Sequence, residues 1–392
     1  MRLQSSFARL FVLSAVLLAG CASLTDLKTD ISERVFGREE LNPPAPLVDF
    51  QPTATPKLLW SSKVGSAETY DFSPAVDSNA VYAASAEGEL LKLDAANGKE
   101  VWRVRADERF SAGVGLGANL VLVGTPTGYV MAYDQQGKLL WKSKVSSEVL
   151  SAPRVHLDIV VVRAGDGRIF GLNAVDGSRK WVFQRSTPAL TLRSSAGIVV
   201  ADGVVYAGYA GGKLVAIKAD DGNNLWEASV AQPKGTTEIE RIADITSLPV
   251  VDGSAVFAVA YQGKVAAIDR ATGRIGWSRD ISSYTGINAE SGRLYLSHAQ
   301  GAVYSMEFAS GKTFWRQGDL RYRQITAPLP MGELIAVGDL QGYVHFMQRE
   351  DGSFAARVKT DDSAIMPQMT ELNAGVLLAQ TRNGGLYAIS LQ

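Results

Sequence analysis

The chain has 392 residues, 46% of them apolar and 20% charged, which supplies a large core and excludes disorder for its bulk. Lysine and arginine total 39 against 40 acidic residues, and a net charge of −1 with no basic stripe removes the footprint of a nucleic-acid binder. With 38 glycines and one cysteine, Cys21, the chain has neither a disulfide framework nor a thiolate metal cluster.

The N-terminus differs in composition from everything after it. Arg2 and Arg9 precede or flank a ten-residue apolar run, Leu10 to Ala19. That run is too short for a bilayer core, which needs about 20 residues, and suits a secretory signal. It ends in Leu18-Ala19-Gly20-Cys21, which resembles the bacterial lipobox: small residues admit the signal peptidase and the thiol accepts a diacylglycerol. Residues 1–20 are therefore expected to be a lipoprotein signal peptide, and Cys21 the lipidated residue that anchors the chain in membrane lipid. In such lipoproteins an aspartate after the cysteine retains the protein in the inner membrane. Here Ala22 follows, so the resemblance implies a lipid anchor in the outer membrane and a body in the periplasm.

Residues 21–56 read as a Pro-rich tether, punctuated by Pro43, Pro44, Pro46, Pro52 and Pro56 and without a sustained strand or helix period. Fully extended, such a segment reaches about 110 Å, and as a flexible coil roughly 30–35 Å.

Internal repetition organises the remainder. Trp60, Trp102, Trp141, Trp181, Trp226, Trp277 and Trp315 follow one another at intervals of 42, 39, 40, 45, 51 and 38 residues. In the first full unit a short strand, Ser73-Pro74-Ala75-Val76, leads to an apolar strand, Val81-Tyr82-Ala83, and a glycine turn. An alternating strand, Leu90-Leu91-Lys92-Leu93-Asp94, then precedes a second glycine turn and the strand carrying Trp102. The first-turn glycine recurs as Gly88, Gly128, Gly167, Gly212, Gly263, Gly301, Gly342 and Gly384, where a tight connection asks for positive φ without a Cβ. Four short antiparallel strands per unit of about 40–45 residues predict a propeller blade. Residues 57–392, 336 in number, hold eight such units of 42. The expected fold is therefore all-β: an eight-bladed β-propeller with four antiparallel strands per blade. The last unit has only three strands, and the strand it lacks stands at the other end as Lys57 to Val64 with Trp60. An N-terminal strand is thus expected to close the ring and cover its edges. The seventh unit has Ala356 four residues after Gly352, where its neighbours have tryptophan, which predicts a thinner contact there.

The unit Ala267-Ile268-Asp269-Arg270-Ala271-Thr272-Gly273-Arg274-Ile275-Gly276-Trp277 resembles the tryptophan-docking motif of quinoprotein-type propellers. Its aspartate caps a turn, its glycine takes the strained dihedral, and its indole packs on a neighbouring blade with the N–H seeking an acceptor. Quinoprotein dehydrogenases share this architecture, and a quinoprotein-like propeller with another partner or a redox role is the alternative reading. That class implies a quinone, a calcium site and typically a vicinal cysteine pair, whereas the one cysteine here lies in the lipobox and the blades are nearly minimal. His156, His298 and His345 have no metal-ligand spacing and are expected on blade surfaces. Asp220-Asp221-Gly222 and Asp361-Asp362 fall at expected turns. No catalytic residue, metal site or cofactor is expected, and the chain reads as a non-enzyme.

Two blade connections are enlarged. Trp181 to Val205 spans 24 residues and Trp226 to Val256 spans 30, against 17 to 21 elsewhere. They should protrude on one face, where a regular scaffold carries recognition. The first holds Leu190-Thr191-Leu192-Arg193 and the second Thr237-Glu238-Ile239-Glu240-Arg241-Ile242-Ala243-Asp244. Leucine and arginine flanked by charge suits a protein–protein patch. Spacing alone equally allows Leu190 and Leu192 to pack into the inner strand of blade 4.

Taken with the lipobox, the tether and eight minimal docking-motif blades, these two segments resemble the propeller lipoproteins of the outer-membrane β-barrel assembly machinery. The resemblance covers essentially the full chain. It implies a non-catalytic scaffold that binds the periplasmic POTRA domains of the integral barrel subunit and assists unfolded barrel substrates toward the membrane. The family's contact residues carry over onto Leu190, Leu192, Arg193 and Asp244, with the leucines as apolar anchors and Arg193 and Asp244 as orienting charges. Two positions after Asp244 the family often has a second acidic residue; here it is Thr246.

Overall fold

In the computed structural model residues 42–186, 188 and 190–391 are described; the expected signal peptide, Cys21 and the expected tether as far as residue 41 lie outside them. Every regular element among the described residues is a strand, in eight four-stranded antiparallel sheets. Blade 1 spans residues 75–105, and blades 2 to 7 span 112–144, 154–183, 198–229, 250–279, 286–317 and 329–359. Blade 8 comprises Thr370–Asn373, Val376–Gln380 and Gly385–Leu391, completed by Pro56–Lys63. The two ends of the chain pair in register from Pro56 opposite Leu391 to Lys63 opposite Gly385, with Trp60 opposite Ala388. Closure by an N-terminal strand is as the repeat arithmetic requires.

The strands follow from their residues. A second strand such as Ala80–Ala84 is buried along its whole length, because neighbouring blades cover both of its faces. An outer strand such as Leu139–Lys144 buries Trp141 and exposes Leu139, Leu140 and Lys142. The core is accordingly divided among the blade junctions. Trp60, Leu91 and Leu386 pack together between blades 8 and 1, and Trp226, Val256 and Ile268 between blades 4 and 5.

Seven indole N–H groups lock the ring. Each donates to a main-chain carbonyl of the next blade at 2.9–3.0 Å, from Trp60 to Ala95 O through Trp315 to Arg349 O. Each indole also covers a glycine in the turn between the third and outer strands: a Cβ on Gly98 would lie 2.4 Å from the Trp60 ring. The first-turn glycines have a different neighbour. A Cβ on Gly384 would stand 1.9 Å from Gly65 O, because the connection leaving each blade crosses directly over this turn. Seven of the eight first-turn glycines have positive φ. In blade 5 Gln262 takes the left-handed conformation, φ 48°, in place of Gly263.

The expected thinner contact at Ala356 is not what the structure contains. Blade 8 has no turn between its third and outer strands, since those strands come from opposite ends of the chain. An indole at residue 356 would have no turn to cover. The segment entering the N-terminal strand occupies the place instead. Thr53 and Ala54 both donate main-chain N–H to Ala355 O, at 2.9 and 3.2 Å. Phe50 stacks on Phe354 at 5.5 Å between ring centroids, and Val48 and Phe50 pack against the junction of blades 6 and 7. The compact body thus begins at Ala45, twelve residues before the boundary at 57 that composition suggests.

A charged cluster holds this strap. Asp339 and His345 are wholly buried and Arg323 is 2% exposed. Arg323 Nε donates to Asp339 Oδ2 at 2.8 Å, Nη1 to Ala45 O at 2.8 Å, and Nη2 to Gln341 Oε1 at 2.7 Å. Arg357 donates to Val48 O and, at 3.1 Å, to His345 Nδ1. That leaves the proton of His345 on Nε2, 2.9 Å from Asp339 Oδ2. His345 therefore departs from the blade surface expected of it: it sits mid-strand on an inward-facing position and serves as a satisfied core group.

Candidate docking site at the channel mouth

The 3-to-4 and 4-to-5 connections emerge on the face that carries the first turns of the blades, and they meet there. Asp244 joins them. It is only 4% exposed, and its Oδ2 accepts the main-chain N–H of Leu192 at 2.8 Å while Oδ1 accepts that of Gly211 at 3.0 Å. One carboxylate thus ties the first connection, the second connection and the blade 4 turn. Ser194 Oγ adds a bond to Thr246 O at 3.2 Å, and Thr246 Oγ1 donates to Tyr284 O at 3.1 Å, so Thr246 is tied into the same loops.

Asp244 consequently does not offer the free orienting charge expected of it. Its spacing from Leu192 was legible as proximity, but both of its oxygens are committed to loop N–H groups inside the fold. The other three residues do reach the surface. Leu190 is 44% exposed and Leu192 half-buried, and neither lies in the blade 4 inner strand, which begins at Ile198. Neither leucine belongs to the fully buried core. Arg193 is exposed and forks onto Glu148 of the preceding connection, Nε to Oε1 at 3.2 Å and Nη2 to Oε2 at 2.9 Å. That pair holds the Arg193 guanidinium above its ordinary pKa. The Tyr70 ring lies 6.0 Å from Arg193, and Ser195 Oγ donates to Asp71 Oδ2 at 2.7 Å, so this connection leans across the channel mouth toward blade 1.

The second connection is built as a turn that caps itself. Glu240 Oε2 accepts the N–H groups of Thr236 and Thr237 at 2.8 and 3.2 Å, and Thr237 Oγ1 accepts that of Glu240 at 3.2 Å. Those backbone donors hold the Glu240 carboxyl below its usual range. The turn presents Ile239, 69% exposed. Within the segment only its isoleucine-between-acids pattern could have marked it.

Two cavities adjoin the patch. One of about 850 Å³ is the mouth of the central channel, lined around the ring by residues such as Asp71, Arg154, Leu192, Tyr284 and Met369. A second, of about 430 Å³, lies between blades 3 and 4 and includes Arg163, Tyr209, Leu192, Arg193 and Asp244 in its wall. Burial pushes the Tyr209 phenol up to about 12, so its hydroxyl remains a donor. No group of three or more metal-ligating side chains occurs among the described residues. Asp220 and Asp221 sit in a turn and Asp361 and Asp362 in a bend, as expected.

Comparison with known proteins decides the family. The sequence matches the family described as outer membrane protein assembly factor BamB over residues 48–111 and 93–317. The protein of that name from Nitrosomonas eutropha is 42% identical over 381 residues, covering 96% of this chain and 93% of the relative. The one from Escherichia coli K12 is 33% identical over 393 residues, covering 97% of each. This chain belongs to the BamB family. The crystal structure of BamB from Moraxella catarrhalis superposes with a TM-score of 0.79 at 26% identity, over 86% of this chain and 100% of that one. The quinohemoprotein alcohol dehydrogenase of Comamonas testosteroni aligns at a TM-score of 0.69 with 13% identity, a likeness of fold alone. As a BamB family member the chain is a non-catalytic assembly factor on an architecture that elsewhere houses dehydrogenases.

Proposed function

We propose that the chain is a lipid-anchored scaffold of outer-membrane protein assembly, held to the periplasmic face of the outer membrane by acylated Cys21. It docks through Leu190, Leu192 and Arg193 onto the POTRA domains of the integral barrel subunit, and so assists the folding and insertion of barrel substrates. The observation that carries this reading is the convergence of the two enlarged connections. Asp244 spends a buried carboxylate on fixing loops whose leucines and arginine stay at the surface, an arrangement with no use to the core. In this reading the leucines supply apolar anchor area, Arg193 orients, and Asp244 acts through the loops it joins.

The test is binding of the mature chain to the detergent-solubilised barrel subunit. Leu192→Ala combined with Arg193→Ala should weaken it at least tenfold, about 1.4 kcal/mol, with the melting temperature nearly unchanged. Full binding by a stably folded double variant would place the docking surface elsewhere on the disc. A Cys21→Ser chain that still fractionated with outer-membrane lipid would remove the anchor from the proposal.

A further inference from the structure

The wall of the pocket between blades 3 and 4 includes Arg163 and Tyr209, each with a polar atom that nothing in the described chain uses. Arg163 ends the second strand of blade 3, Ile159–Arg163, and Tyr209 ends that of blade 4, Val204–Tyr209. The Tyr209 ring lies between two guanidinium groups, 4.9 Å from that of Arg163 and 5.0 Å from that of Arg185. Arg163 Nη1, Arg185 Nη1 and the Tyr209 hydroxyl are all shielded from solvent and without a hydrogen-bond partner among the described residues. Tyr209 itself is 1% exposed. Buried donors are almost always satisfied, and leaving Arg163 Nη1 and the Tyr209 hydroxyl unsatisfied in one pocket wall, with Arg185 Nη1 unsatisfied beside it, is costly unless something else supplies the acceptor.

The acids of the pocket wall do not supply it. Glu148 is taken by Arg193 at 2.9 Å and Asp166 by Arg168 at 3.2 Å. Asp244 is taken by the two main-chain N–H groups described above. Arg185 pairs through Nη2 with Glu227 at 3.2 Å, which leaves its Nη1 free. What is missing is an acceptor with a negative charge and two oxygens, the group that a guanidinium beside a phenol recognises best.

We propose that this pocket is a carboxylate receptor, in which Arg163 and the Tyr209 hydroxyl take an acidic side chain of the protein that docks on the blade 3–5 loops. Leu192, Arg193 and Asp244 are part of its wall, so a carboxylate entering it is carried by whatever covers those residues. The inference rests on the docking reading above and adds to it the chemistry of the partner's anchor: an aspartate or glutamate flanked by apolar surface.

Two variants and a scan of the partner test it. Tyr209→Phe removes one unpartnered oxygen, so the free chain should melt no lower than the parent, yet bind the detergent-solubilised barrel subunit at least threefold more weakly. Arg163→Met should weaken binding at least tenfold, and Arg163→Lys, which keeps the charge and loses the fork, should fall between. Among Asp→Asn and Glu→Gln variants of the POTRA domains, one should cost the parent chain about tenfold and cost the Arg163→Met chain nothing, the signature of a direct pair. Unchanged binding by stable Tyr209→Phe and Arg163→Met chains, while Leu192→Ala binds weakly, would overturn the receptor and leave the docking surface standing. Unchanged binding by all three would overturn the docking surface itself. Saturable thermal protection of the free parent chain by millimolar acetate, lost in Arg163→Met, would assign the pocket to a free small anion and overturn the partner's side chain as its source.

Discussion

Blade 7 and the junction of blades 3 and 4 each bury arginines beside a tyrosine or histidine, and they use them in opposite ways. In blade 7 every described demand is met. Arg323 reaches Asp339, Ala45 O and Gln341, while His345 and Arg357 complete the set. At the other junction Arg163 and Arg185 flank Tyr209 and each keeps an unpartnered Nη1. The two aspartates differ in parallel. Asp339 takes Arg323 and His345 on Oδ2 and the main-chain N–H groups of Gln341 and Tyr343 on Oδ1, all inside the cluster that holds the strap, whereas Asp244 takes main-chain N–H groups alone and fastens loops that face outward. A satisfied buried cluster marks structure. An unsatisfied one beside an exposed patch marks a place prepared for something else.

Removing the two aspartates should separate these roles most clearly. Asp339→Ala leaves the Arg323 charge buried without its partner and should cost about 3–5 kcal/mol of stability, read as a lower denaturant midpoint, while chains that remain folded keep their affinity for the barrel subunit. A loss under about 1 kcal/mol would show that the strap does not depend on this cluster.

Asp244→Ala leaves the Leu192 and Gly211 N–H groups unpaired, at about 1–3 kcal/mol locally. Because the connections are peripheral to the ring, hydrogen-exchange protection should fall in residues 190–196 and 236–246 far more than in the blade strands. Affinity for the barrel subunit should drop about tenfold. Intact affinity with deprotected loops would mean that loop order is not what Asp244 contributes.

The division between the two regions also explains what the sequence could disclose. Seven tryptophans at near-constant spacing report a repeat, because each indole needs one socket per blade, and an eight-bladed ring with N-terminal closure follows from them. Ala356 reads from sequence as a weakened contact only because the absent socket of blade 8 is a matter of chain ends, visible once strands are paired. The surplus lengths after Trp181 and Trp226 reveal where recognition loops stand. They do not reveal burial, and so Asp244 passes for a surface charge when both its oxygens are internal. Arg163 and Tyr209 belong to no motif, are 46 residues apart, and meet only because equivalent strand ends of adjacent blades are neighbours. His345 is equally silent, since one histidine in an alternating strand carries no sign of which face it takes.

Acid should act on blade 7 and spare the loops. Burial holds the His345 pKa below its ordinary value; for Asp339 burial acts upward, but the bond from His345 and the nearby Arg323 prevail and its pKa is lowered as well. Both groups resist protonation in the folded chain. As pH falls through about 6.5 the unfolded chain takes up the His345 proton first, so stability declines, by at most about 1.4 kcal/mol per pH unit from this group. His298, also lowered by burial, contributes in the same direction. Denaturant midpoints measured from pH 8 to pH 5 should therefore flatten in His345→Gln more than in His298→Gln. Equal slopes in the parent and His345→Gln would show that the blade 7 imidazole is not protected from protonation.

The smallest effect is expected where the two regions differ least from ordinary surface, at Glu148. Its fork with Arg193 is partly exposed, with Arg193 57% accessible, and such pairs contribute about 0–1 kcal/mol. Glu148→Gln should leave the denaturant midpoint within the error of measurement. Its consequence belongs to docking: the amide frees Arg193 from a charged partner and removes one acid from the wall of the pocket that holds Arg163. Binding to an acidic partner surface should then become faster at low salt, with a steeper decline as salt is added, because a rim charge acts chiefly on the rate of encounter. A slower association, or one with the parent's salt dependence, would show that Glu148 and Arg193 meet the partner as a neutral pair and that orientation comes from elsewhere on the patch.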